Sequence, residues 1–323
     1  MKSQTKLILF LLIIPVLIGE LLCGSSPPLK LINPVGFLMM FLIYGCGTIL
    51  IREAKVRWNL QWSVILLPVA YGIVEEGILV KSFFNPAWGG LGALSNYGVL
   101  FGFQMVWVIS LGMYHATMST LIPIALSELL WPEFSKKPIL KKRGIVWSII
   151  GISFITLFGM FFFGTEVAGK MVPYYPNPLV LIFCFLIVGL LIFLAYKFKD
   201  SKKISNTKLI SPKKFFIAGF LFMLFVFLVP NLFASAKVPS VITILIQMIT
   251  IALTLLFVFR QIYNENLKEY SLFCLIFGSL FFWILITPIN EFVLHSFGMF
   301  SVGIVAFILL LIMRKYVIKR FGK

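Results

Sequence analysis

Ten apolar runs take up most of the chain, at about residues 6–24, 34–51, 62–81, 98–130, 144–164, 177–198, 215–235, 239–260, 271–291 and 297–314. Each comes close to the roughly 20 residues that carry a helix across a bilayer. With no water in the hydrocarbon, the backbone polar groups of such a run must be satisfied within it. The pattern therefore implies an all-α, polytopic transmembrane helix bundle of about ten spans. One integral membrane domain, 1–323, holds the whole sequence. A composition that is 60% hydrophobic and 12% charged excludes a soluble globular domain.

The charges orient the bundle. A net charge of +17 could suggest nucleic acid, but the basic residues fall in short connections between apolar runs. Of the 28 Lys and Arg, 24 lie in alternate connections and the two ends, against Lys30, Lys81, Lys170 and Lys237 in the other connections. Such a bias marks the cytoplasmic face. Both termini are expected there, in a multi-pass protein of the cell membrane that contacts lipid and binds no nucleic acid. The four cysteines are scattered through apolar runs and suggest neither a disulfide framework nor a cysteine zinc site. Residues 6–24 read as an uncleaved first span, because Glu20 interrupts the run and Leu21-Leu22-Cys23 lacks a small residue before the cysteine.

The polar residues divide the chain into two parts. Residues 131–323 read mostly as apolar scaffold, whereas residues 1–130 carry Glu20, Arg52, Glu53, Glu75, Glu76, Gln104, His115 and Glu128. The adjacent pair Glu75 and Glu76 lies inside the third run, YGIVEEGILVKS. A carboxylate at membrane depth costs about 2.5–3.5 kcal/mol on the insertion scale, so such residues mark functional sites. On an α-helix neighbours point about 100° apart. Glu75 shares its face with Tyr71, Gly72 and Ser82, and Glu76 shares one with Val69, Ile73 and Val80. The more polar face makes Glu75 the inward group. In the fourth run Gln104 and Ser119 fall on the face of His115, a polar stripe down an apolar helix. Glu20 and, from the ninth run, Asn290 are further candidate binding residues on the same side of the membrane. Arg52 with Glu53 reads as a snorkelling boundary pair. The outer loop 82–98, with Asn85-Pro86, Trp88 and several glycines, has the size and turn chemistry of a lid or an interfacial loop.

Adjacent glutamates on one span with a histidine on the next resemble the CAAX-prenyl-protease and bacteriocin-processing family of intramembrane proteases. That family carries Glu-Glu-x-x-x-Arg, then Phe-x-x-x-His, then His-x-x-x-Asn or Asp. Glu75-Glu76 and His115 match, with Val80 in the arginine position, Lys81 one step later and Leu111 in place of the phenylalanine. Only Asn290 and His295 stand near the third motif, in reversed order. The resemblance implies a catalytic trio of Glu75, Glu76 and His115, with Glu75 as general base on a water attacking a peptide carbonyl. The substrate would be a membrane-associated peptide or protein. Glu and His could hold a metal, but one histidine and no H-E-x-x-H spacing support zinc only weakly, and no metal or cofactor is expected. Two further readings stay open: a multi-pass transporter or proton-coupled permease, and a non-catalytic membrane scaffold.

Overall fold

A computed structural model describes residues 2–167, 170–200, 207–264 and 266–321; Lys202, Lys203 and Lys323 of the charge count lie outside them. Among the described residues, ten helices are long and apolar enough to cross a membrane. Spans 1–5 are Ser3–Leu21, Pro34–Arg57, Trp62–Leu79, Met105–Leu130 and Lys142–Phe162. Spans 6–10 are Pro178–Lys197, Pro212–Ser235, Ser240–Ile262, Glu269–Phe292 and Met299–Phe321. The fourth starts seven residues later than its apolar run. Val99–Leu100 and Phe103–Gln104 form a short antiparallel hairpin instead, turned by positive φ at Phe101 and Gly102, as a tight two-residue turn requires.

Contacts between connections confirm the alternation. At the basic end Gln4 donates to the Ile139 carbonyl at 2.6 Å, Lys55 pairs with Glu128 at 2.5 Å, and Tyr263 donates to the Gln61 carbonyl at 3.2 Å. Arg320 donates there to the Leu130 carbonyl at 3.2 Å, so both chain ends share that face. At the other end Asn85 donates to Thr165 at 2.9 Å, Tyr97 to the Val238 carbonyl at 2.8 Å, and Asn290 to the Cys23 carbonyl at 3.0 Å. Lys81, with φ of +63°, is fully buried at that end. Its ammonium caps span 5 by donating to the Met160 and Phe163 carbonyls at 2.8 and 2.7 Å. Burial pushes its amine down to about 8.

Arg52 does not snorkel. It is 1% exposed and pairs with Glu53 at 2.8 Å while donating to the Phe134 carbonyl. Glu53 also accepts from Arg57 and from the Ile139 backbone N–H, at 2.9 and 2.8 Å. Arg52, Glu53 and Arg57 staple the connection between spans 4 and 5 beneath span 2. Its carbonyls supply the acceptors that a boundary arginine would otherwise find in water.

Two apolar cores run side by side. One joins spans 1–3 to span 5, and the other joins spans 4, 7, 9 and 10. Spans 7 and 9 cross backbone to backbone. A Cβ on Gly278 would stand 1.9 Å from the Phe216 carbonyl oxygen, and one on Gly219 would stand 2.2 Å from that of Leu275. Without a hydrophobic drive inside lipid, such small-residue crossings supply the packing that holds helices together. Gly278→Val should therefore destabilise the bundle by more than the 1–3 kcal/mol typical of overpacking. A drop in melting temperature in detergent would show it, and an unchanged melting curve would refute the crossing.

Span 8 is attached differently. Over Ser240–Phe257 its buried residues are Thr243 and Gln247, both near its non-basic end, and Gln261 is buried at the basic end, where its side chain bonds Ile210 N and the Lys208 carbonyl. Tyr97 lies 2.6 Å from Thr243, and Gln247 donates to Ser110 at 2.9 Å. Between these ends the helix stands off from its neighbours, until Phe257 meets Phe215 and Phe259 meets Trp62 with ring centroids at 5.1 and 6.1 Å.

Candidate functional site

Four spans carry their polar residues on stretches that are not α-helical. Leu17–Leu21, Phe41–Gly45, Ile73–Leu79 and His115–Leu121 are π-helical. The i→i−5 bonds are direct: Val80 N donates to the Glu75 carbonyl at 2.8 Å, and Leu22 N to that of Leu17 at 3.0 Å. Well under 1% of residues in proteins adopt this form, and it concentrates at functional sites. These four stretches hold Glu20, Tyr44, Glu75 with Glu76, and His115 with Ser119.

The wider turn changes which side chains can meet. The α-helical phase points Glu75 inward and turns Glu76 elsewhere. In the π turn the angular step between neighbours is smaller, and both glutamates reach one imidazole. His115 Nδ1 lies 3.0 Å from Glu75 Oε2, and Nε2 lies 2.9 Å from Glu76 Oε1. Ser119 Oγ stands 3.1 Å from Nδ1, so the one-turn spacing on His115's own helix is productive. Glu75, Glu76 and His115 are 3%, 7% and 2% exposed.

The two carboxylates are held differently. Glu76 accepts a hydrogen bond from Ser82 through its second oxygen. Ser82 in turn accepts from the Trp107 indole N–H at 2.9 Å. The first residue of the 82–98 loop therefore closes over the site and clamps Glu76. Glu75 Oε2 faces Nδ1 without a hydrogen bond of good geometry, and the buried Tyr71 hydroxyl lies beside Glu75 with no hydrogen bond of good geometry among the described residues. An orphaned buried hydroxyl costs about 1–3 kcal/mol. Gly47 admits the Tyr71 ring, because a Cβ there would stand 2.3 Å from Cε2. Tyr44, Tyr71 and Tyr114 surround the imidazole with ring centroids at 6.0, 6.4 and 5.3 Å.

The other sequence candidates lie in different places. Glu20 accepts from Tyr44 at 2.5 Å and from Ser26 at 2.7 Å, so it reaches the histidine only through the Tyr44 ring. Gln104 leaves the expected stripe, because the helix begins at Met105; its amide oxygen accepts from Asn96 N at 3.0 Å and fixes the outer loop. Asn290 is spent on the Cys23 carbonyl and braces the turn that follows Glu20. Tyr44 and Trp107 are additions that the sequence reading missed. A tyrosine in mid-run beside Gly45 and Gly47 was the available signal for the first; nothing in the sequence pairs Trp107 with Ser82.

One imidazole and two carboxylates also form a donor set that accepts a divalent cation such as zinc. Their ligand atoms lie within 4.8 Å of one another. Both imidazole nitrogens are already engaged, so a cation would have to displace either the Glu76 contact or the Glu75 and Ser119 contacts.

No curated protein and no solved structure matches the chain. A family model does match, over residues 9–317, under the description "Uncharacterized membrane protein family". With nearly its whole length covered and ten membrane-spanning helices in its fold, the chain is an integral membrane protein that belongs to that family.

Proposed function

We propose that the chain is a glutamate-dependent intramembrane hydrolase that cleaves a peptide bond in a membrane-associated substrate, as the family its motifs resemble does. The observation that carries this reading is the single buried imidazole held between Glu75 and Glu76, at 3.0 and 2.9 Å, on π-helical turns. Charges at this depth are retained for function, and a carboxylate beside a histidine is an acid–base pair.

The roles follow from how each group is tied. Glu76 is fixed by Ser82 and His115, so it orients the ring. Glu75 keeps an acceptor oxygen for a water. As that water's oxygen adds to the substrate carbonyl carbon, its proton passes to Glu75. The carbonyl oxygen becomes an oxyanion, and the Tyr71 hydroxyl is a donor available to it. Glu75 then returns the proton to the departing amide nitrogen as the C–N bond breaks. All three groups are buried, so substrate entry requires the roof over Glu76, from Ser82 onward, to move.

The experiment compares new protein N-termini in membranes carrying the wild-type chain or Glu75→Gln, at matched expression. Termini that are present with the wild type and absent with the variant support the reading, and identical profiles overturn it. A second reading, proton-coupled transport, is favoured by one observation: Ser26, Glu20 and Tyr44 extend the polar groups from the non-basic surface toward the histidine. Proton flux into proteoliposomes that is lost in Glu20→Gln, without any cleavage, would select it.

In the same reading the basic end faces the cytoplasm of a cell membrane. A cysteine at Lys237 should react with a membrane-impermeant maleimide added to intact cells, whereas one at Arg320 should react only after lysis. The reverse pattern would invert the orientation.

A further inference from the structure

Where span 8 stands off, it leaves a cavity of about 770 Å³ bounded by spans 3, 4, 7, 8 and 9. That size lies within the roughly 300–1,000 Å³ of ligand sites. Its wall is apolar in a stricter sense than composition alone shows. The hydroxyls that line it are spent on their own helices: Thr117 on the Met113 carbonyl at 2.7 Å, Thr250 on Ile246 at 2.8 Å, Thr254 on Thr250 at 2.8 Å, and Ser279 on Leu275 at 3.2 Å. A water inside would find few of the 2–4 polar partners it needs. Polarity gathers at one end, where Lys55 with Glu128, Gln61 and Tyr263 reach the lining. Arg260 is exposed there, on the same turn as the lining residues Val258 and Ile262. Lys55 and Glu128 neutralise each other at 2.5 Å, so the net positive charge beside the mouth is that of Arg260. The site is amphiphilic along its length, with an apolar body within the span of the membrane and a polar mouth at its surface. On the side of span 8 it opens toward lipid, past Ile249 and Leu253, which are 57% and 61% exposed.

We propose that this cavity binds one anionic phospholipid, with an acyl chain in the apolar body and the phosphodiester headgroup at the mouth beside Arg260. Basic pockets between membrane helices at the cytoplasmic face bind such headgroups. Acyl chains are the apolar material that surrounds the opening. Dispersion contacts with the wall and headgroup charge at the mouth hold the lipid, since burial alone gains nothing over the bilayer. The inference is independent of the chemistry proposed for Glu75, which this cavity does not include.

The test uses the full chain in nanodiscs of equimolar phosphatidylglycerol and phosphatidylcholine, transferred to mild detergent and examined by native mass spectrometry. The wild type should retain one phosphatidylglycerol per chain. Ala125→Trp or Thr250→Trp, which fill the cavity, should reduce that retention at least tenfold. Arg260→Gln changes only a residue at the mouth, leaves the Lys55–Glu128 pair intact, and should abolish the preference for phosphatidylglycerol. This arm stands even where a tryptophan disturbs folding. Retention of both lipids equally by the wild type, or undiminished retention by all variants, would overturn the proposal.

Discussion

If the chain is the hydrolase proposed above, Glu75→Gln should lower its rate of product release by about 10²–10⁴-fold, the usual contribution of a general base. The amide keeps the size of the carboxyl group and can still lie against His115, so the melting temperature in detergent should barely move. That separation of activity from stability distinguishes a base from a packing residue. Tyr71→Phe removes only the unpartnered hydroxyl. It should cost about 10²–10³-fold in kcat with little change in KM, as expected for an oxyanion donor. It should also leave the fold as stable or slightly more so, because the buried orphan disappears. Ser82→Ala frees one oxygen of Glu76 and should have the mildest effect of the three. If Glu75→Gln retains full activity, Glu75 is not the base. If Tyr71→Phe lowers stability and spares kcat, the hydroxyl has a structural role instead.

Arg52→Met should destabilise the protein by about 3–5 kcal/mol, because it leaves Glu53 buried without its closest counter-charge. Arg57 also pairs with Glu53, but from a position 36% exposed, where water screens the charge. The double variant Arg52→Met with Glu53→Met should recover much of that loss, since replacing a whole buried pair by apolar side chains is often neutral. Unfolding in mixed micelles, followed by the chemical reactivity of Cys46 in span 2, measures both. A double variant as unstable as the single one would mean that the hydrogen bonds to Phe134 and Ile139, and not the charge pairing, hold the 4–5 connection.

The sequence makes the spans and their alternation plain, because run length and Lys/Arg bias are one-dimensional signals. It also exposes Glu75, Glu76 and His115, since charge in an apolar run needs no structure to be conspicuous. Phase is what it conceals. Assigning 100° per residue separates the two glutamates, and the separation fails because Ile73–Leu79 winds more loosely. Nothing in composition distinguishes a π turn from an α turn. Gln104 misleads for a related reason: its helical spacing to His115 has meaning only if the helix extends that far, and the chain spends those residues on a hairpin. Arg52 is hidden by a long-range fact, the return of Phe134 and Ile139 beneath span 2. No local pattern encodes that return.

The looser winding has a consequence for how this chain tolerates changes of length. A π turn holds one residue more than the α turn it interrupts, so a single-residue deletion within Ile73–Leu79 or His115–Leu121 leaves a better-formed helix. The α turn that replaces it sweeps nearly the same arc with one residue fewer, so everything beyond keeps its phase. Within the first, the deletion leaves Ser82 and the outer loop in place but restores the 100° step that parts Glu75 from Glu76. Within the second, it leaves Glu128 against Lys55 and shifts His115 relative to Ser119. A length change usually harmless in a loop would here leave the helix and its far end in register, with only the meeting of three side chains lost.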